Sequence, residues 1–121
     1  MYSRFRKLVR PALLAAMLAP CVAVAQNYPT KPIHLIAPFA PGGVMDLTAR
    51  SVAVPLQESV AQPVIVENRP GGGGNIGTDL VARATPDGYT LLILGDNNTI
   101  APALYSRLNH DVLKDFVPVT L

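Results

Sequence analysis

The sequence predicts an α/β domain built on a parallel sheet, and three observations predict it. Three short apolar runs, 33–37, 64–67 and 89–94, are separated by two stretches whose apolar residues recur at helical spacing. Strand, helix, strand, helix, strand with crossovers of this length favours parallel pairing through right-handed connections. The near-continuous apolar character of the strands suits a sheet covered on both faces. Each of the first two strands also runs into a glycine turn, at Pro41-Gly42-Gly43 and at Pro70-Gly71-Gly72-Gly73-Gly74, before its helix.

Tyr28-Pro29-Thr30-Lys31-Pro32 reads as extended chain, because a residue before proline avoids helix. Ile33–Ala37 is the first strand and 38–45 a loop. Asp46 can cap the following helix through its carboxylate. That helix sets Ala49, Val52, Ala53, Leu56 and Val60 on one face, and Pro55 inside it predicts a kink or the end of its regular part. Val64–Glu67 is the second strand. Asn75 is a candidate cap for the second helix, with Ile76, Leu80 and Ala84 on one side. Thr85-Pro86-Asp87-Gly88 is a turn by residue type. Tyr89–Leu94 is the third strand, 95–99 a polar loop, and a short helix is expected within 100–108 around Pro102.

The chain begins like an export signal. Arg4, Arg6, Lys7 and Arg10 precede the apolar stretch 12–18, and Ala23-Val24-Ala25 is a small-x-small cleavage pattern, so 1–25 reads as a signal peptide. The apolar stretch is shorter than the roughly 20 residues that span a bilayer. Pro20 before Cys21 makes a poor lipidation signal, and cleavage after Ala25 leaves no cysteine. Of ten Lys and Arg residues four lie in the signal, where no acid does, leaving six against eight and a net charge of −2. Without a basic cluster or an aromatic run, nucleic acid is excluded as a partner. The remaining 26–121 make at most one small domain, and 115–121 reads as the start of a further strand, which suggests a truncated product.

Motifs for chemistry are weak. Gly72-x-Gly74-x-x-Gly77 matches the dinucleotide fingerprint formally, with Asp96 about 20 residues on, yet Asn68-Arg69-Pro70 stand between strand and glycines where the motif's mechanism requires an immediate turn. His34 and His110 lack companions at metal-ligand spacing. His34, within a strand, reads as structural, and His110, beside Asp111, as surface. Ser51, Ser59 and Ser106 have no nucleophile-elbow context. Only Asp46 and Asp96 are candidates for a paired-carboxylate site. Arg69 either binds a ligand carboxylate or pairs with Glu67 to hold the loop, the second reading being favoured. Phe39 is either core or a lid. What remains is binding: glycine turns bring bare backbone close to a ligand, and helix starts offer unpaired N–H groups to an anion. With strand order 2-1-3, the ligand position lies beyond the carboxyl ends of the first and third strands, between the loops 39–46 and 95–99 and flanked by the glycine run.

The motifs Tyr28-Pro29-x-Lys31-Pro32-Ile33, Pro38-Phe39-Ala40-Pro41-Gly42-Gly43-x-x-Asp46, Gln62-Pro63-Val64-x-Val66-Glu67-Asn68-Arg69-Pro70-Gly71, Gly74-Asn75-Ile76-Gly77, Pro86-Asp87-Gly88-Tyr89-Thr90-Leu91, Pro102-x-Leu104-Tyr105 and Asp115-Phe116-x-Pro118-Val119 follow in order. Together they resemble the extracytoplasmic solute receptors of tripartite tricarboxylate transporters, the Bug-type binding proteins. The resemblance implies a two-lobed periplasmic binding protein of type II fold, of which 26–121 is the first part of lobe one. It implies capture of a small organic acid by backbone groups and ordered water, delivery to membrane transporter subunits, no cofactor, no reaction, and no membrane insertion once the signal is removed. Residue by residue it points to Phe39, Ala40, Gly42, Gly43 and Asp46 in the first ligand loop, Gly74 and Asn75 in the second, and Asp96, Asn97 and Thr99 in the third. Val44-Met45 departs from the smaller or hydroxylated pair usual there, Ala61 replaces a common helix-ending glycine, and Ala101 a usual asparagine. The expectation is a receptor whose single lobe binds nothing tightly; an exported α/β enzyme and a non-functional fragment are the alternatives.

Overall fold

The computed structural model describes residues 27–120; the expected signal peptide at 1–25 lies outside them. The elements run β1 (Ile33–Ala37), α1 (Val44–Val60), β2 (Val64–Asn68), a 3-10 turn (Gly72–Gly74), α2 (Asn75–Ala82), β3 (Thr90–Leu92) and α3 (Asp96–Leu104). The sheet is parallel in the order β2-β1-β3, with Leu35 opposite Val66 on one side and Leu91 on the other. The chain therefore leaves β1 for one neighbour and returns past it for the other, and this reversal places a switch point between β1 and β3.

The most apolar strand takes the centre. Ile33, Leu35, Ile36 and Ala37 are all buried, as a strand covered on both faces must be. Helix α1 packs against β1 and β2, and α2 against β1 and β3. Leu35, Ala37, Ala49 and Ala53 form the core cluster, with Val64, Val66, Leu91 and Ile93 packed around it. Alanine at 49 and 53 lets α1 lie close on the sheet, and the shared 3–4 spacing puts both on one face.

Several local expectations are corrected. Helix α1 continues through Pro55 to Val60; proline costs an interior hydrogen bond, but Pro55 is on an exposed face and packing of the other face holds the turns together. Val52, expected on the buried face, is 39% exposed. In α2 the sheet-facing residues are the buried Gly77 and Thr78, while Ile76 and Leu80 face outward: the approach to Pro38 and the Arg69 carbonyl is close enough to select the glycine rather than the apolar stripe. Strand β2 extends to Asn68 and β3 shrinks to Thr90–Leu92. The polar loop expected over 95–99 is the first turn of α3, capped by Gly95.

Helix α1 ends on Ala61, which adopts φ 53° and ψ 31°. This left-handed conformation normally falls to glycine. At the other end of the sheet, Lys31 pairs with Asp87 at 3.2 Å and lies 4.2 Å from the Tyr89 ring centroid, and the Tyr28 hydroxyl donates to the Gly88 carbonyl. These contacts tie the segment before β1 to the turn before β3.

Candidate functional site

The three loops beyond the carboxyl ends of the strands converge. The Asn97 amide donates to the Gly73 carbonyl at 2.7 Å. Gly74 has φ 95°, and a side-chain carbon there would meet Asn97 Nδ2 at 3.0 Å and the Phe39 ring at 3.1 Å. Gly95 lies directly under the Met45 methyl, which a side chain at 95 would overlap. Phe39, Gly74, Asn97, Met45 and Gly95 thus bring the loops after β1, β2 and β3 into one patch. Of the two expected roles for Phe39, this is a half-buried packing role between the first and second loops.

Asp46 is not the helix cap expected of it. Gly43 is the N-cap, and Asp46 sits three residues further on. Its carboxylate reaches back to accept from the Gly42 N–H at 2.9 Å, from Arg50 Nε at 3.1 Å and from Asn68 Nδ2 at 3.0 Å. The side chain is buried, so these partners are what permit its charge. Arg50 foremost, then the Gly42 amide and Asn68, hold its pKa down at about 2 against the opposing effect of burial. The same Asn68 amide also donates to the Phe39 carbonyl at 3.1 Å. Asp46 therefore fixes the first loop to the end of β2, and its charge is already matched.

A second buttress is buried under the third loop. Asn98 donates to the Thr78 hydroxyl at 2.8 Å, Thr78 donates to the Gly74 carbonyl at 2.9 Å, and the Gly95 N–H donates to Asn98 Oδ1 at 3.2 Å. Both side chains are fully buried. Sequence reasoning missed Asn68, Thr78 and Asn98 because polar residues at strand and helix ends look the same whether they face solvent or hold two loops together.

The backbone donors divide unequally. In the second turn, expected to present open amides, Gly74 and Ile76 donate to the Gly71 carbonyl and Asn75 to the Gly72 carbonyl. Asn75 is not a cap: Gly74 holds that position, with no side-chain bond. In the first loop the Gly42 amide goes to Asp46 and the Gly43 amide to the Ala40 carbonyl at 3.4 Å. The first intrahelical bond of α1 is Leu47 N–H to the Gly43 carbonyl, so Val44 and Met45 start the helix with no intrahelical acceptor. In α3 the Asn98 N–H bonds to Gly95, leaving Asp96 and Asn97 in the same position. Open donors therefore sit on either side of the β1–β3 switch point, while the Gly74, Asn75 and Ile76 amides of the second turn are paired. Asp96 is exposed at the first position of α3, and the Thr99 hydroxyl is turned back to the Asp96 carbonyl at 2.6 Å. Ala40 is exposed in the first loop.

The open crevice expected between the first and third strand mouths is narrowed by Met45 over Gly95. Two hollows among the described residues lie elsewhere. One of about 320 Å³ is at the opposite end of the sheet, among Lys31, His34, Asp87 and Tyr89. The other, of about 270 Å³, lies between α2 and the segment after α3. Arg69 takes the structural reading, pairing with Glu67 at 2.7 Å, and Glu67 in turn meets His34 Nδ1 at 2.5 Å. Arg69 first, then His34, lowers the Glu67 pKa. His110 is a correction: expected at the surface, it is buried against Asp79 and Phe116.

The model of the tripartite tricarboxylate transporter family receptor matches residues 48–121. BugT of Bordetella pertussis is 46% identical over 99 residues, covering 80% of this chain and 30% of that protein. Among solved structures, MatC from Rhodopseudomonas palustris with bound malate is 36% identical with a TM-score of 0.72, covering 76% of this chain and 32% of its own. The periplasmic binding protein BugD is 46% identical with a TM-score of 0.64, covering 65% and 26%. The chain spans about a third of the length of the curated relatives it matches.

Proposed function

This chain belongs to the tripartite tricarboxylate transporter receptor family, and from that premise we propose that it supplies one face of a periplasmic receptor that captures a small carboxylate. The observation that carries this reading is the placing of the α1 and α3 starts at the β1–β3 switch point, with helix-opening amides on both. Helix N-termini carry a partial positive charge and unspent donors, and they favour an anion. Of the two acids at these helix starts, Asp46 is already matched by Arg50, and Asp96 is exposed at the first position of α3, where solvent screens its charge.

Capture needs no bond to be made or broken, so the residues act by position. The Asp46–Asn68 and Asn98–Thr78 buttresses hold the two helix starts in place before a ligand arrives, which lowers the ordering cost of binding. Asp96, Asn97 and Thr99 at the start of α3 and Val44-Met45 at the start of α1 then border the ligand. Malate is the ligand bound by MatC, and a small di- or tricarboxylate is the class proposed here. Two helix ends together contribute about 0.6–2 kcal/mol, short of the roughly 4 kcal/mol of a millimolar complex. A facing lobe supplies the remainder in the intact receptor, and the membrane subunits of the transporter receive the ligand from it.

Ligand-observed NMR with malate, adipate, citrate, glucose and spermidine tests the class. The three acids are expected to give a weak response that added salt suppresses. An equal response from glucose or spermidine, or none from any acid, contradicts the proposal.

A further inference from the structure

The hollow between α2 and the segment after α3 contains groups that the fold leaves unanswered. His110 lies in its wall with 1% of its side chain exposed, and neither ring nitrogen has a hydrogen-bond partner. Asp79 Oδ1 and Asn75 Oδ1, one helical turn apart on α2, are likewise buried and unpartnered. Buried polar atoms are almost always satisfied, and a cluster left open calls for an ion or water. The three residues offer a carboxylate oxygen, an amide oxygen and an imidazole nitrogen, all lone-pair donors, lining one cavity.

We propose that this hollow binds a divalent transition-metal ion through His110, Asp79 and the side-chain oxygen of Asn75. Among the described residues no three His, Cys, Asp or Glu side chains gather in a metal-binding group; here the third ligand is an amide. His110 Nδ1 and Asp79 Oδ1 are 4.0 Å apart. Two ligand atoms at about 2.1 Å from one tetrahedral ion stand about 3.4 Å apart, so a side-chain adjustment of well under 1 Å brings this pair to ligand spacing. The other Asp79 oxygen pairs with Arg83 at 2.9 Å, which orients the carboxylate and leaves Oδ1 for the ion. Imidazole with oxygen ligands suits zinc, nickel or copper rather than calcium. The ion would join the start of α2 to the chain after α3. Arg107 is the cationic residue of the lining and is exposed, so its charge weakens the site without blocking it.

Titration with Zn²⁺ alone, read by long-range proton–nitrogen spectra of both histidine rings, tests this. One equivalent is expected to shift the His110 nitrogens and leave those of His34 in place. Affinity is expected to fall at least about tenfold in Asp79→Asn and in His110→Phe, and to rise in Arg107→Gln. His110→Phe keeps an aromatic ring against Phe116 and shows by its amide spectrum that the fold persists. Binding unchanged in these two variants, a shift confined to His34, or no response of His110 to excess zinc overturns the site. Weaker zinc binding in Arg107→Gln overturns the site too, since removing a cation from the lining should favour a divalent ion.

Discussion

Ala61→Gly should stabilise the chain. Ala61 is the exposed residue that ends α1 at φ 53°. A side-chain-bearing residue there costs about 1–2 kcal/mol relative to the right-handed region. Glycine removes that cost but brings about 0.4–1 kcal/mol of additional unfolded-state entropy. The difference is a net gain of about 0.5–1 kcal/mol, worth roughly 2–8 °C in melting temperature for a domain of this size. Urea melts of wild type, Ala61→Gly and Ala61→Val measure it, with unchanged slopes required so that midpoints report stability. Ala61→Val is expected to lose more than alanine, since a β-branched residue fits the left-handed region worst. An unchanged or lowered midpoint in Ala61→Gly refutes the assignment of strain to this residue.

Gly77→Ala places a methyl 2.8 Å from the Arg69 carbonyl oxygen and 2.9 Å from Pro38 Cβ; a loss of about 1–3 kcal/mol is expected in chemical denaturation. Asn98→Ala removes the donor to the buried Thr78 hydroxyl and the acceptor of the Gly95 amide, and about 1–3 kcal/mol should be lost, with faster amide exchange at 95–99. The Asp46 pKa is lowered from 3.8 to about 2 in the folded chain. Its contribution is therefore complete above pH 4 and is lost as pH falls from about 4 through 2; acid melts should show this loss in wild type and not in Asp46→Asn. Met45→Ala uncovers Gly95 and is expected to admit bulkier acids, read as a changed order of responses across malate, adipate and citrate.

The architecture was legible because burial writes itself into apolar runs: Ile33–Ala37 and its two neighbours are apolar where the sheet is covered. Parallel pairing was inferable from connection length, whereas the order β2-β1-β3 entered the sequence reading only as a condition. The tertiary details were not. Pro55 reads as a helix breaker locally, yet the packed face of α1 overrides it. Ile76 and Leu80 carry the helical spacing, but close approach of α2 to Pro38 selects Gly77 instead. The polar 95–99 segment reads as loop because Asp, Asn and Thr disfavour helix interiors, and at a helix start the same residues are favoured. For the site, the glycines mark the loops correctly, and which amides remain open is invisible in sequence. Gly71 and Gly72 carbonyls take the amides of Gly74, Asn75 and Ile76, a matter of backbone geometry alone. His110 next to a charged aspartate looks solvent-facing, and only the fold brings it under Phe116.

The central claim is that the amides opening α1 and α3 hold the carboxylate. Amide chemical-shift mapping during a malate titration of the ¹⁵N-labelled chain tests it most directly. Shifts should concentrate at Val44, Met45, Asp96 and Asn97 and leave Gly74, Asn75 and Ile76 nearly still. Shifts centred on the second glycine turn, or on the Lys31–Tyr89 end of the sheet, would contradict it.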